Sequence, residues 1–140
     1  MSVLSKRATV YLDPSLHRAL RLKAVETSRS VSALLNEAVQ RSLAEDREDL
    51  AAFAERAHEP RVSFEDALKD LGRIPRKDVT RILAAIRALA ENPRPSQSLK
   101  LSGQEKYRLR QGDYRVLYSI QDRERSVWIV KVAQRGEAYR

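Results

Sequence analysis

The sequence predicts an α+β protein in three parts: a strand followed by two helices, a helical connector, and C-terminal helices packed on an antiparallel sheet. Three observations predict it. Residues 6–12 alternate with a period of two and then give way to helical spacing. Residues 106–132 hold three alternating runs separated by turn residues. Charge is also blocked along the chain: the formal net charge is +8 over 140 residues, divided as +4 in 1–43, −5 in 44–71 and +9 in 72–140. Two basic blocks separated by an acidic one read as two polyanion-binding surfaces and a connector able to neutralise one of them.

In the first block, Ala8, Val10 and Leu12 take one face of a strand and Arg7, Thr9 and Tyr11 the other. Asp13 is placed as an N-cap with Pro14 at the first helical position. Leu16, Ala19, Leu20 and Ala24 continue at helical spacing to Thr27. The polar run Thr27–Ser30 breaks the pattern, and a second helix starts near Val31 with the stripe Leu34, Leu35, Ala38, Val39 and Leu43. About 43 residues cannot bury enough surface alone, and a single strand leaves both edges unpaired. The expectation is a homodimer whose two N-terminal strands pair antiparallel. Such a ribbon fits the DNA major groove, with Arg7, Thr9 and Tyr11 toward the bases, Lys6 and Arg29 as flanking cations, and the helix start at Ser30 and Ser32 facing a phosphate.

The strings Ala8-Thr9-Val10-Tyr11-Leu12-Asp13-Pro14 and Arg29-Ser30-Val31-Ser32-Ala33-Leu34-Leu35-Asn36-Glu37-Ala38 resemble the ribbon-helix-helix antitoxins of bacterial type II toxin–antitoxin systems, the ParD/RelB-like group. The chain departs from that pattern at Ser28, where the family often has glycine. The resemblance implies an operator-binding, autorepressing domain over residues 1–43.

Residues 44–61 read as an acidic helical connector. Leu43, Leu50, Phe53 and Ala57 form a thin apolar stripe, and Glu59-Pro60 ends the helix. Val62–Phe64 reads as a short extended piece, followed by helix over 65–71. The connector resembles the tail with which such antitoxins wrap their basic toxins.

The second basic block opens with an amphipathic helix over Ile74–Ala90. Val79, Ile82, Leu83, Ile86 and Leu89 are buried; Arg76, Lys77, Arg81 and Arg87 are solvated. Asn92–Pro95 ends it. Strands are expected over 106–110, 114–120 and 126–132, in a meander. A two-residue loop at Gln111-Gly112 pairs Leu109 with Tyr114, Tyr107 with Val116 and Arg108 with Arg115, leaving Arg110 close by. A four-residue loop changes the partners but keeps the three arginines together. Like charges directly opposed are destabilising, so their clustering suggests a phosphate-binding surface.

Residues 62–140 resemble the RelE/ParE toxin superfamily, most closely RelE-type ribosome-dependent mRNA interferases. The resemblance rests on Ala67-x-Lys69-Asp70-Leu71-x-x-Ile74-Pro75, Tyr107–Arg110, Gly112–Val116 with Tyr118, and Val132–Arg140. It implies catalytic roles for Arg108, Arg110, Arg115, Arg135 and Tyr139. The arginines would stabilise a phosphorane formed when a ribose 2′-OH attacks its own 3′-phosphate, and Tyr139 would orient or deprotonate that hydroxyl. The usual His or Lys before the late arginine is Gln134 here. Residues 62–71 match both an antitoxin tail and the start of a toxin, yet occur once. If they complete the toxin sheet they cannot also cap it; if they act as a tail, the toxin lacks its first strand.

With no cysteine and two histidines, His17 and His58, neither a thiolate nor a histidine-built metal site is expected, and no cofactor or metal is required. The longest aliphatic run, Ile82–Ile86, is far too short for a bilayer, and no secretory signal is visible at the start. The expected protein is cytoplasmic: a fused antitoxin–toxin whose metal-independent endoribonuclease half is restrained by the acidic helix. Its partners are operator DNA, mRNA on the ribosome and a second copy, with no membrane. The alternatives are a transcriptional regulator with an inactive toxin-like domain, or a ParE-like gyrase inhibitor.

Overall fold

A computed structural model describes residues 6–57 and 60–134. The chain divides into two compact units, Met1–Arg41 and Ser42–Arg140. Helix α2 (Val31–Arg56) runs through the division, so the expected boundary at residue 43 falls inside a continuous helix.

In the first unit, α1 spans Pro14–Thr27. Asp13 caps it: its Oδ1 accepts from the Ser15 N–H at 2.9 Å and from the Ser15 hydroxyl at 2.6 Å. Both bonds favour the ionised carboxyl, which is held below its usual range. The helix ends at Ser28, left-handed at φ 54°, ψ 39°, with the Arg29 N–H donating back to the Ala24 carbonyl at 3.0 Å. Glycine adopts this conformation without the crowding that a Cβ brings. Residues 6–12 form no strand here: no ladder reaches them, and Val10 and Tyr11 are exposed. A strand exists only through a neighbour, and the ribbon expectation places that neighbour in a second chain. No residue of α1 is buried, and Leu16, Leu22, Val25 and Val39 lie exposed; Leu34 of α2 is buried, but most apolar side chains among the described residues of this unit are open to solvent.

The second unit is built on a four-stranded antiparallel sheet in the order β1 (Ser98–Lys100), β2 (Lys106–Gln111), β3 (Tyr114–Gln121) and β4 (Ser126–Gln134). The last three are the expected meander; β1, three residues long, carries too little pattern to be read from sequence. Helices α3 (Pro60–Leu71) and α4 (Arg76–Ala88) complete the unit. The extended piece expected at Val62–Phe64 is helical instead. Pro60 is suited to the first helical turn, where its missing N–H costs nothing. Phe64, Ala67, Leu68 and Leu71 then recur at helical spacing. Residues 62–71 therefore supply no strand to the sheet; they form a helix packed against β4.

The sheet has two differently made faces. On one, Tyr107, Leu109, Val116, Tyr118, Ile120 and Val132 pack with Leu71, Ile82 and Leu89. The Tyr107 and Tyr118 rings stack at 5.5 Å. Burying a side chain such as Ile82 stabilises by about 1.5–3 kcal/mol. On the other face, Leu117 and Val130 meet Ala52 and Phe53 of α2. A bulge between Leu117 and Tyr118 leaves Val130 as the extra residue of β4.

The β2–β3 register departs from expectation by two residues. The loop is Gly112-Asp113, pairing Gln111 with Tyr114, Leu109 with Val116 and Tyr107 with Tyr118. Gly112 has φ 58°, and Asp113 is not among the positive-φ residues, the pattern of a type II′ hairpin turn. Glycine at the first loop position, rather than the second, selects this register. Arg110, not Arg108, is therefore opposite Arg115, and Arg108 faces Leu117. The even shift keeps every side chain on its expected face.

Candidate arginine site and nucleic-acid interface

In the first unit the residues expected to meet DNA are largely solvent-facing. Lys6, Arg7, Thr9 and Tyr11 are exposed, Tyr11 completely. Ser30 caps α2, its hydroxyl accepting from the Ala33 N–H at 3.0 Å, so that amide is already satisfied. Ser32 is exposed, and its carbonyl accepts from Asn36 at 2.7 Å. Arg29 is engaged: its Nη1 lies 2.6 Å from Glu37, which also meets Arg41 at 2.9 Å. The Arg29 hydrogen bond, followed by its charge and that of Arg41, holds the Glu37 carboxyl below its usual range.

The second unit gathers Arg108 and Arg110 from β2 and Arg115 from β3 onto the face that α2 covers. Glu45 and Asp49 recur at helical spacing on α2, with Ala52, Phe53 and Arg56 continuing the same stripe toward its C-terminal end. Asp49 is fully buried and holds two guanidiniums at once. Its Oδ1 accepts from Arg115 Nε at 2.8 Å and its Oδ2 from Arg108 Nη1 at 3.1 Å. Asp46 accepts from the same Arg108 nitrogen at 2.8 Å, and Glu45 from Arg110 Nη2 at 2.9 Å. Arg115 Nη1 also donates to the Gln134 carbonyl.

Arg108 and Arg115 retain 3% and 1% exposure. Two cations so placed would be prohibitive without compensation, and the carboxylates supply it. Burial lowers the Arg108 pKa, but hydrogen bonds to Asp46 and Asp49 and the charges of Glu45 and Asp49 more than offset this, raising it overall. The match is incomplete. Arg108 Nε and Arg115 Nη2 are buried without an acceptor, and Glu48 Oε2, 3.7 Å from Arg115 Nη2, is buried without a donor. The cluster thus offers more N–H groups than the carboxylates use.

A second ionic link fixes the covering helix. Arg56 Nη1, near the end of α2, lies 2.6 Å from Asp70 of α3 and 3.3 Å from the Val130 carbonyl. Asp70 Oδ2 in turn accepts the Val132 N–H at 2.9 Å. The hydrogen bond to Asp70 is the main cause of a raised Arg56 pKa. The two side chains satisfy outward groups of β4 that a neighbouring strand would otherwise take.

Arg108, Arg110 and Arg115 therefore converge as the sequence suggests, whereas Arg135 and Tyr139 lie outside the described residues. Sequence reading identified the acidic helix but not the individual roles of Glu45, Asp46, Asp49 and Asp70. The usable signal was the i, i+4, i+7, i+8 run Glu45, Asp49, Ala52, Phe53: one buried stripe, acidic at its first half and apolar at its second. Among the described residues no acidic or histidine cluster suits a metal ion, and no helix is long and apolar enough to cross a membrane.

Comparison with known proteins places two family models end to end. An RH3 domain model matches residues 2–63, and the model of the ParE toxin of the type II toxin–antitoxin system parDE matches residues 61–139. Among solved structures, the archaeal RelE–RelB complex from Pyrococcus horikoshii OT3 is 31% identical over 51% of this chain and 88% of that one, with a TM-score of 0.45. The toxin–antitoxin complex RelBE2 from Mycobacterium tuberculosis is 32% identical over 50% of this chain and 89% of that one, with a TM-score of 0.35. No curated protein matches.

Proposed function

Since the chain belongs to the ParE toxin family of type II toxin–antitoxin systems and carries a ribbon-helix-helix domain ahead of it, we propose that it is a fused antitoxin–toxin held inactive within one chain. The N-terminal unit binds operator DNA as a homodimer through the strand over Lys6–Leu12. The toxin-like unit is a metal-independent endoribonuclease acting on mRNA at the ribosome, in the cytoplasm, and α2 occupies its arginine cluster. One observation carries this reading: a single buried carboxylate, Asp49, gives one oxygen to Arg108 and the other to Arg115. A phosphodiester presents a comparable pair of anionic oxygens. The exposed Leu16, Leu22 and Val25 support the dimer, because an unclosed apolar surface calls for a partner.

Once α2 withdraws, Arg108, Arg110 and Arg115 hold the scissile phosphate, with Arg135 completing the set as the superfamily resemblance implies. The 2′-oxygen bonds to phosphorus, the bond to the 5′-oxygen breaks, and a cyclic phosphate and a 5′-hydroxyl result. The 2′-OH proton passes to a base, for which Tyr139 is the candidate, and the leaving oxygen takes up a proton. Guanidiniums stay protonated and contribute charge alone.

The test uses the full chain, because removing α2 would also uncover Leu117 and Val130. Glu45→Gln, Asp46→Asn and Asp49→Asn together should convert an inert protein into one that cleaves transcripts in a translating extract, and adding Arg115→Ala should abolish the cleavage. A folded triple variant that cleaves nothing would overturn the nuclease half. That result would favour the second reading, a DNA-binding regulator with an inactive toxin-like domain, to which the burial of Arg108 and Arg115 also lends weight.

A further inference from the structure

On the opposite side of the sheet from Arg108, α4 turns its outer surface to solvent. Arg76, Lys77, Thr80, Arg81, Ala84, Arg87 and Ala88 are exposed, while Ile82 is buried and Val79, Leu83 and Ile86 pack toward the core. At 3.6 residues per turn, all seven exposed positions fall within about 140° of arc. The face therefore presents four cations and no anion. The one acidic residue of the helix, Asp78, is half-buried and accepts from the Tyr114 hydroxyl at 3.0 Å. Among the described residues none of the four cations is ion-paired, whereas Arg108, Arg110 and Arg115 all are. With those three neutralised, α4 carries four free cations on one face among the described residues of the unit.

The chemistry of the face selects among polyanions. Single-stranded nucleic acid is held by stacking on aromatic rings, and this face has none. Arginine and lysine can address guanine edges, but readout of the other bases also needs free amide or hydroxyl groups. Here the one hydroxyl, Thr80, already donates to the Arg76 carbonyl at 3.2 Å. Flexible cations on a rigid rod suit the regular phosphates of a duplex, and phosphate contacts carry no sequence information.

We infer that the exposed face of α4, through Arg76, Lys77, Arg81 and Arg87, is a sequence-independent binding surface for the phosphate backbone of duplex DNA. The toxin-like unit thereby adds affinity for DNA of any sequence to whatever the N-terminal unit recognises. This does not rest on α2 restraining a nuclease, and it stands or falls separately.

The full chain is titrated with a duplex of scrambled sequence over a range of salt concentrations. Each phosphate contact contributes about 0.9 to the slope of log affinity against log salt. Arg81→Gln with Arg87→Gln should therefore lower the slope by about 1–2. Glutamine keeps the helix propensity of these exposed positions, and thermal unfolding checks that the fold is retained. Arg123→Gln with Arg125→Gln, in the exposed β3–β4 turn, removes the same charge elsewhere and should leave the slope unchanged. An unchanged slope in the α4 variant overturns the inference. So does an equal fall in the control, which would make net charge the cause. Greater loss of affinity for RNA, single- or double-stranded, than for duplex DNA would assign the surface to RNA and overturn it as well.

Discussion

The two faces of one sheet solve the same burial problem in opposite ways. Beneath α4 the contacts are apolar, and each side chain contributes by leaving water. Beneath α2 the covering stripe is half carboxylate, and the sheet answers it with three arginines. An apolar face needs only shape and volume. An ionic face must match its groups one by one, and here the match is incomplete, with Arg108 Nε and Arg115 Nη2 left over. Excess buried donors are a poor design for stability alone. Glu48 Oε2, buried without a donor 3.7 Å from Arg115 Nη2, shows that the shortfall lies in how the groups are aimed and not in the number of oxygens α2 supplies.

The faces should respond differently to truncation. The largest effect is expected from Asp49→Ala, which strands two buried cations and should destabilise the second unit by about 3–5 kcal/mol in denaturant titration. A loss below about 1 kcal/mol would mean that water reaches the cluster and the face is not ionic in the sense argued. On the apolar side Ile82→Ala should cost about 2–5 kcal/mol, set by the cavity left behind. Restoring an apolar side chain should rescue that variant and should not rescue the first.

Much of this contrast could be read from the sequence. Period-two alternation placed Tyr107 and Leu109 on one side and Arg108 and Arg110 on the other, and the even register shift preserved that division. The charge blocks pointed to an acidic helix opposite a basic sheet. Three things were out of reach. The register depends on where Gly112 sits in its turn, a choice between loops one residue apart that moves the pairing by two. The three residues of β1 are strand only because β2 lies beside them. The pairing of Asp49 with both Arg108 and Arg115 joins positions about sixty apart, which no local pattern encodes. At Val62–Phe64 the error was local: a triplet suited to a strand was outweighed by Pro60 and by the apolar spacing that follows.

A smaller effect separates the N-terminal unit from both faces. Ser28→Gly at φ 54° should stabilise α1 by about 0.5–1 kcal/mol, read as a rise in thermal midpoint, and should leave the arginine face untouched. A fall in stability would show that the serine hydroxyl matters more than the backbone.

The smallest effect concerns the rim of the apolar face. There Glu105 accepts from the Tyr107 hydroxyl at 2.5 Å and meets Lys100 at 3.1 Å and Arg94 at 3.0 Å. The Tyr107 bond, then those from Lys100 and Arg94, depress its pKa to about 2. A depressed carboxylate contributes stability that is fully present above its unfolded pKa and is lost as pH falls through the folded value. The contribution should therefore persist at pH 5 and disappear between about pH 4.5 and 2. A carboxyl carbon titration by NMR with a midpoint near the ordinary glutamate value would remove this rim from the account.

The claim that α2 occupies the arginine site by charge pairing, rather than by packing alone, is tested most directly by a double-mutant cycle on Asp49→Asn and Arg115→Gln in the full chain. Bonded at 2.8 Å and shielded from solvent, the pair should show a coupling of about 1.5 kcal/mol or more that changes little with added salt. A coupling below about 0.5 kcal/mol, the scatter expected of independent sites, would contradict it.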